Sequence, residues 1–373
     1  LILIVSATVV VGLGVGFATQ SGSTARASAQ APDGFVVPIE PIRVFDSRTT
    51  ASPLATSPNG SETVIDLFGS LAASTDVIAA FANVTVVDPG ANGYATIHPT
   101  GRSRPNTSSS NFARGTTVAT STLVARGPVG STTVTLVTPQ ANATAHVIID
   151  VFALVTSDPT RVGATVVRTV TPGRVHDTRS TTRLGAGEWR RIPIAGRSLD
   201  GSLDVVPSDG SVSAVAINIT VVNSSSTSRS TWIATTPGTS LVNVDRGRLA
   251  ANFALVPLES DGRIDAGSTD VIIDVWGYAT NSGVSPGASG RIVVLDAPFR
   301  AIDSRPDPLG PGRAEPWSFV DFNDSLANSR AGLGEVSALI GNFTGTDLRR
   351  RYPGLSVETF LSTFPDGGSL PST

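Results

Sequence analysis

The sequence predicts an all-β chain of tandem antiparallel β-sandwich-like repeat domains, with a jelly roll or a barrel as variant closures. Three observations predict it. A hexapeptide of the form R-x-x-D-[ST]-R occurs three times, beginning at Arg43, Arg174 and Arg300. Self-similarity at so long a period marks whole domains rather than solenoid turns. Short apolar segments follow one another at near-regular spacing, separated by Gly, Pro and Asn, the pattern of a sandwich or barrel. No stretch combines helical period with helical length. The expected division is a signal peptide over 1–29 and repeat domains over 35–156, 164–280 and 291–373.

Taken in order, the chain opens with an apolar, uncharged run from Leu1 to Phe17. Overlapping A-x-A sites follow at Ala25-Arg-Ala27, Ala27-Ser-Ala29 and Ala29-Gln-Ala31. An apolar core followed by small-residue cleavage sites reads as a secretory signal; an uncleaved anchor is the alternative. In the first unit, strands are expected over Val44–Arg48, Glu62–Leu67, Val77–Val87, Thr116–Val124, Thr132–Val137 and His146–Phe152. Asn92-Gly93, ahead of the Tyr94 strand, is a hairpin signal. Gly101–Ser110 is a polar loop. The stretch 281–290 has the composition of a flexible linker.

Behind each hexapeptide more of the unit recurs. Asn83-Val-Thr85, Asn218-Ile-Thr220 and Asn342-Phe-Thr344 sit in apolar strands, where glycosylation is not expected. An aromatic strand ending in proline follows, led by Tyr94, Trp232 and Phe360. A closing strand carries Val147-Ile-Ile-Asp150-Val-Phe152 and then Val271-Ile-Ile-Asp274-Val-Trp276-Gly-Tyr278. The third unit lacks this closing segment, so it is expected to be truncated and the least stable.

These segments resemble a repeat of secreted and cell-surface actinobacterial proteins. Its copies open with an R-L-L-D-T-R-like motif, continue through L-N-V-T, G-Y-L-T-V-Y-P and S-N-L-N-like segments, and close on H-V-I-V-D-V-x-G-Y-F. The resemblance covers nearly everything after residue 35. It implies a β-rich extracellular module, often carried beside exported hydrolases, with no reaction assigned to the repeat itself.

Composition narrows the chemistry. Net charge is −3, which gives no electrostatic footprint for nucleic acid. All 27 basic residues are arginine, so Schiff-base and lysine-base chemistry is excluded. With no cysteine, disulfides, thiol nucleophiles and zinc–thiolate sites are excluded too. There is no D-x-[DN]-x-[DN]-G pattern, and an arginine beside each repeated aspartate repels calcium. No cofactor and no metal is expected. No G-x-S-x-G elbow occurs, and each of the three histidines is unique to its unit.

The Arg/Asp set reads as a structural ion-pair network comprising Arg43, Asp46, Arg48 and Asp150; Arg174, Asp177, Arg179 and Asp274; and Arg300, Asp303 and Arg305. An aspartate inside an apolar strand needs a partner. Asp150 is expected to meet Arg43 or Arg48, and Asp274 to meet Arg174 or Arg179, tying first strand to last. A glycosidase pair such as Asp46 with Asp150 is disfavoured, because a general acid needs a raised pKa and arginine lowers it. The aromatic strand supplies the candidate ligand platform, Tyr94, Trp232 and Phe360, set against the alternative that these are packing residues. The expected function is a non-enzymatic secreted or cell-surface module for envelope display, spacing or adhesion. The alternative is a carbohydrate-binding accessory of an exported hydrolase, with a cell-wall or extracellular glycan as partner, and neither nucleic acid nor, after signal cleavage, membrane.

Overall fold

Val, Ile and Thr dominate the strand segments, and their stiff branched side chains suit a pleated surface. The computed structural model describes residues 32–295 apart from 50–51, 186–187, 199–205, 224–229, 259–261 and 267–269. It also describes residue 298 and strand segments at 3–7, 9–10 and 339–344. Two short strands come first, β1 (Leu3–Ala7) and β2 (Val9–Val10). The first unit then runs β3 (Asp33–Asp46), β4 (Leu54–Ala55), β5 (Ser61–Ile65), β6 (Val77–Val87), β7 (Gly93–Pro99), β8 (Ser110–Phe112), β9 (Thr117–Ala125), β10 (Thr132–Val137) and β11 (Thr144–Thr156). The second runs β12 (Val166–Asp177), β13 (Glu188–Ile192), β14 (Val212–Asn223), β15 (Thr231–Ala234), β16 (Val242–Val244), β17 (Arg248–Pro257), β18 (Gly262–Ala266) and β19 (Asp270–Thr280). β20 (Ile292–Val293) and β21 (Leu339–Thr344) follow.

Each unit is a two-layer antiparallel sandwich. In the first, β3, β11, β6 and β9 form the large sheet in that order, and β5, β10, β7 and β8 the small one. The second repeats this strand for strand, as β12, β19, β14, β17 and β13, β18, β15, β16. First and last strands of each unit are therefore neighbours. β20 joins the first large sheet beside β3, while β1 and β21 extend the second beyond β17. One core fills each sandwich: Leu67, Phe68, Val84, Leu136 and Ile149 in the first, Leu184, Ile192, Ile219, Ile233 and Ile273 in the second.

A third apolar cluster lies between the units. The outer faces of the two large sheets pack against each other through Val36, Ala79, Phe81, Phe152 and Val155 on one side and Ala214, Ala216, Phe253, Leu255 and Ala279 on the other. Phe81, Phe152 and Phe253 form an aromatic triangle with centroids 6.0–6.3 Å apart, a favourable offset or edge-on geometry. Beside it is a largely buried polar seam. Asn252 Nδ2 donates to Asn83 Oδ1 at 2.9 Å and to Leu241 O at 2.8 Å, its Oδ1 accepts from Ser121 N at 3.0 Å, and Asn83 Nδ2 donates to Ser240 O. Small residues let the sheets approach, and the amides satisfy each other where water is excluded. The result is four stacked layers, with the small sheets outermost.

Three local expectations are corrected. Asn92-Gly93 forms no hairpin: β6 and β7 belong to different sheets, so the turn carries the chain across the sandwich. Gly93 is needed for closeness, since a Cβ there would lie 2.1 Å from Val137 O. The stretch 281–290 is docked rather than a free linker. Val284 and Ala288 pack on Phe35, Ala164 and Val166, Gly290 O accepts from Val167 N at 2.9 Å, and Gly290 has φ +90°, a conformation that favours glycine. Residues just beyond belong to the first unit's sheet, where Arg291 pairs with Asp33 at 2.7 Å. Finally, a short helix at Leu67–Ser70, capped by the Asp66 side chain, is absent from the sequence expectation.

Asn252→Ala removes the hub of the polar seam and strands buried groups on both units, at about 1–3 kcal/mol for each group left without a partner. Chemical unfolding of the variant is expected to split into two transitions where the parent shows one; a single transition with an unchanged midpoint would contradict the coupling.

Candidate functional site

Two sites follow from the sequence, and the fold treats them differently. The hexapeptide ends β3 and β12, each alongside its closing strand. Register sets Arg43 opposite Asp150 and Arg174 opposite Asp274. Arg43 grips Asp150 with two bonds, Nε at 2.8 Å and Nη2 at 3.1 Å, and reaches Asp46 with Nη1 at 3.4 Å. Arg174 repeats this on Asp274 at 2.8 and 3.4 Å, and on Asp177 at 3.4 Å. The second arginine folds back onto the motif's own aspartate: Arg48 holds Asp46 at 2.9 and 2.7 Å, and Arg179 holds Asp177 at 3.0 and 2.7 Å. Of the two partners open to each closing aspartate, the first arginine of each motif is the one used. Such fork-on-carboxylate bonding is the strong form of the interaction.

The Ser/Thr position has a role that the sequence reading missed. Val147 N donates to Ser47 Oγ at 2.9 Å, and Val271 N to Thr178 Oγ1 at 2.7 Å. The hydroxyl therefore pins the closing strand from its backbone while the arginine pins it from the side chain. The alignment of Ser47 with Thr178 carried that signal, because only a hydroxyl is common to both.

The closing aspartates do not point into the sandwich cores. Ile149 and Val151 face the first core, and Ile273 and Val275 the second. Alternation then puts Asp150 and Asp274 on the outer faces of the large sheets, the faces the units share. Burial differs between copies: the Asp150 side chain is 3% exposed and that of Asp274 23%. Arg300, Asp303, Arg305 and Phe360 lie outside the described residues.

The aromatic strand diverges between units. The ladders place Tyr94 and Trp232 at equivalent positions, opposite Asn111 and Asn243. They likewise place Glu62 and Trp189 at equivalent positions, opposite Thr135 and Asp265. In the first unit the loop at 100–109 crosses the outer face of the small sheet. Thr96 Oγ1 donates to Thr107 O at 2.8 Å, and Arg104 Nη1 reaches Asn59 O at 3.0 Å on the far side. Beneath it Thr96, His98, Thr133 and Thr135 are buried although they face outward, and Tyr94 is half-buried. In the second unit the corresponding connection is shorter. There Trp232 is 42% and Trp189 39% exposed. Register runs from Trp189 through Asp265 to Ala234, two residues beyond Trp232, so both indoles stand on one face of one sheet, opposite the core-facing Ile233 and Ile192. Trp189 escaped the sequence reading because it does not recur.

Ser47 and His98 are committed to structural bonds. Ser47 Oγ lies 3.1 Å from His146 Nδ1, but Ser47 is fully buried and its hydroxyl holds Val147. His98 lies under the loop at 3.3 Å from Thr135 Oγ1. Burial, then the charges of Arg190 and Arg197, lowers the His176 pKa. No group of three or more His, Asp or Glu able to hold a metal is present among the described residues. No helix among them is long and apolar enough to cross a membrane.

No family model matches the chain, and no curated protein matches it. Among solved structures it is similar to the N-terminal tandem CBM22-1–CBM22-2 domain of Paenibacillus barcinonensis Xyn10C, at 11% identity and TM-score 0.21, over 69% of this chain and 100% of the other. It is similar also to the PBSX exported protein XepA, at 11% identity and TM-score 0.21, over 68% and 100%.

The arginine bonds hold the Asp46 and Asp177 carboxyls below the usual range, Arg48 and Arg179 being the largest causes. Asp76, bonded to Ser74, Thr156 and Arg161, is also strongly depressed. A carboxylate whose folded pKa lies below its unfolded value of about 3.9 stabilises the fold above that pH and loses the contribution as pH falls through the folded value. The urea midpoint is therefore expected to be flat above about pH 5 and to fall steadily below about pH 4. A midpoint that rises on acidification would contradict the network.

Proposed function

We propose that the chain is a non-catalytic exported module, secreted or held at the cell surface, that docks on an extracellular or cell-wall glycan through its second unit. One observation carries the reading: Trp189 and Trp232 are both about two-fifths exposed on one outward sheet face. Large apolar rings are normally buried for their area, and two kept open on a rigid sheet suit stacking on the apolar face of a sugar ring. The non-catalytic part is supported by the arginines that keep Asp46 and Asp177 ionised, and by the burial of Ser47 and His98. Display and spacing fit the same molecule. The apolar seam between units makes a stiff block, which sets the open face a fixed distance from whatever else the chain carries. Membership of the actinobacterial surface repeat remains part of this proposal.

Purified protein should co-sediment with at least one of cellulose, chitin or peptidoglycan. Trp232→Ala and Trp189→Ala should each release it while leaving the thermal midpoint nearly unchanged, since substitutions at such exposed positions are typically within about 0.5 kcal/mol. Failure to bind any of the three polymers, or binding indifferent to both substitutions, would overturn the reading.

A further inference from the structure

We infer that the occupant of the open face is the interior of an extended, unbranched polysaccharide chain that lies across the strands and touches both indoles at once. The inference rests on the glycan reading above and adds the shape of the ligand. Trp189 is on β13 and Trp232 on β15, with β18 between them. Two strand spacings separate them sideways, about 9–10 Å, and two residues along the strand add about 7 Å, so their backbones are roughly 12 Å apart. A single pyranose ring is smaller than one indole and cannot cover both. A chain of rings can.

The area of the face argues against a protein occupant. Two-fifths of each tryptophan, on a residue that offers about 150–250 Å², totals roughly 200 Å² at most. A stable protein interface needs about 800 Å² per partner. The indoles stand on a strand-built surface, and Ala234, which the register sets level with Trp189, is buried and small. Across the first unit the β7 side of the equivalent lane is covered by the loop at 100–109, held at Thr107 and Arg104, while Glu62 on β5 stays exposed. That loop is bonded to β7 at Thr96 and, through the Arg104 side chain, to Asn59 ahead of β5, so the first unit lays its own chain over the same kind of face.

Two contacts on one ligand act as a linked pair, so the second adds affinity without a second association step, on the order of tenfold to a hundredfold even where linkage is imperfect. Titration of the full chain with cello- and chito-oligosaccharides of increasing length, monosaccharide to hexasaccharide, reads this directly. The affinity for one series should rise by at least about tenfold once the oligomer is long enough to bridge the indoles, and then level off. In Trp189→Ala and in Trp232→Ala the longest oligomer should bind no better than the disaccharide binds the parent. Circular dichroism of both variants should match the parent, and Trp189→Phe should retain part of the length dependence. Equal affinity for monosaccharide and hexasaccharide, or a hexasaccharide affinity unchanged in Trp189→Ala, would overturn the inference and leave the glycan reading standing. Binding of neither oligomers nor polymers would remove both.

Discussion

The fork between Arg43 and Asp150 is the interaction on which the first unit's architecture turns. It joins the first strand to the last, and its register places Asn83 opposite Asp150 on the neighbouring strand. Asn83 in turn bonds Asn252 and Ser240 of the second unit. One row of residues across the large sheet thus closes a domain and couples it to the next. The hydroxyl of Ser47 adds a backbone anchor, and Arg48 keeps Asp46 ionised. The second unit reproduces each part with Arg174, Asp274, Thr178, Arg179 and Asp177. It differs in burial: Asp274 is more open, and Asn218, the counterpart of Asn83, turns to Thr220 of its own strand instead of crossing between units.

A rigid pair of sandwiches follows from that arrangement. With much of the large sheets' outer faces packed on each other, the small sheets turn their outer faces away from the seam. One is covered over β7 and β10 by its own loop, with Glu62 and Val64 of β5 still exposed, and the other lacks such a loop. The asymmetry has a plain origin in chain length between the aromatic strand and the next: the first unit has enough residues to lay a loop over the face, the second does not. On the glycan reading proposed above, function then concentrates in one unit of a repeated fold, as expected when sites are grafted onto a common scaffold.

Much of this was legible in the sequence. The recurrence of R-x-x-D-[ST]-R, the closing aspartate among Val and Ile, and the run of short strands led to the ion pairs and the all-β class by simple charge and period arguments. The rest was hidden for physical reasons. Two arginines five residues apart are equally near in sequence to the closing strand, and only strand register selects Arg43. Alternation assigns Asp150 to one face, but both faces of this sheet are buried, so sequence alone cannot say that the aspartate meets another unit rather than a core. Asn92-Gly93 has turn chemistry that serves a sheet-to-sheet crossing as well as a hairpin. Trp189 stood outside the repeat comparison because the first unit has Glu62 there, and exposure is not written in one residue's identity.

The most direct test of the central claim compares Asp150→Ala with Asp274→Ala by equilibrium unfolding in denaturant. Removing one partner of a buried pair leaves the other uncompensated at roughly 3–5 kcal/mol, whereas a pair with solvent access loses less, about 1–2 kcal/mol. The larger loss is expected for Asp150, whose side chain is 3% exposed, and the smaller for Asp274, at 23%. Losses below about 1 kcal/mol for both, the size of an exposed ion pair, or a larger loss for Asp274, would contradict it.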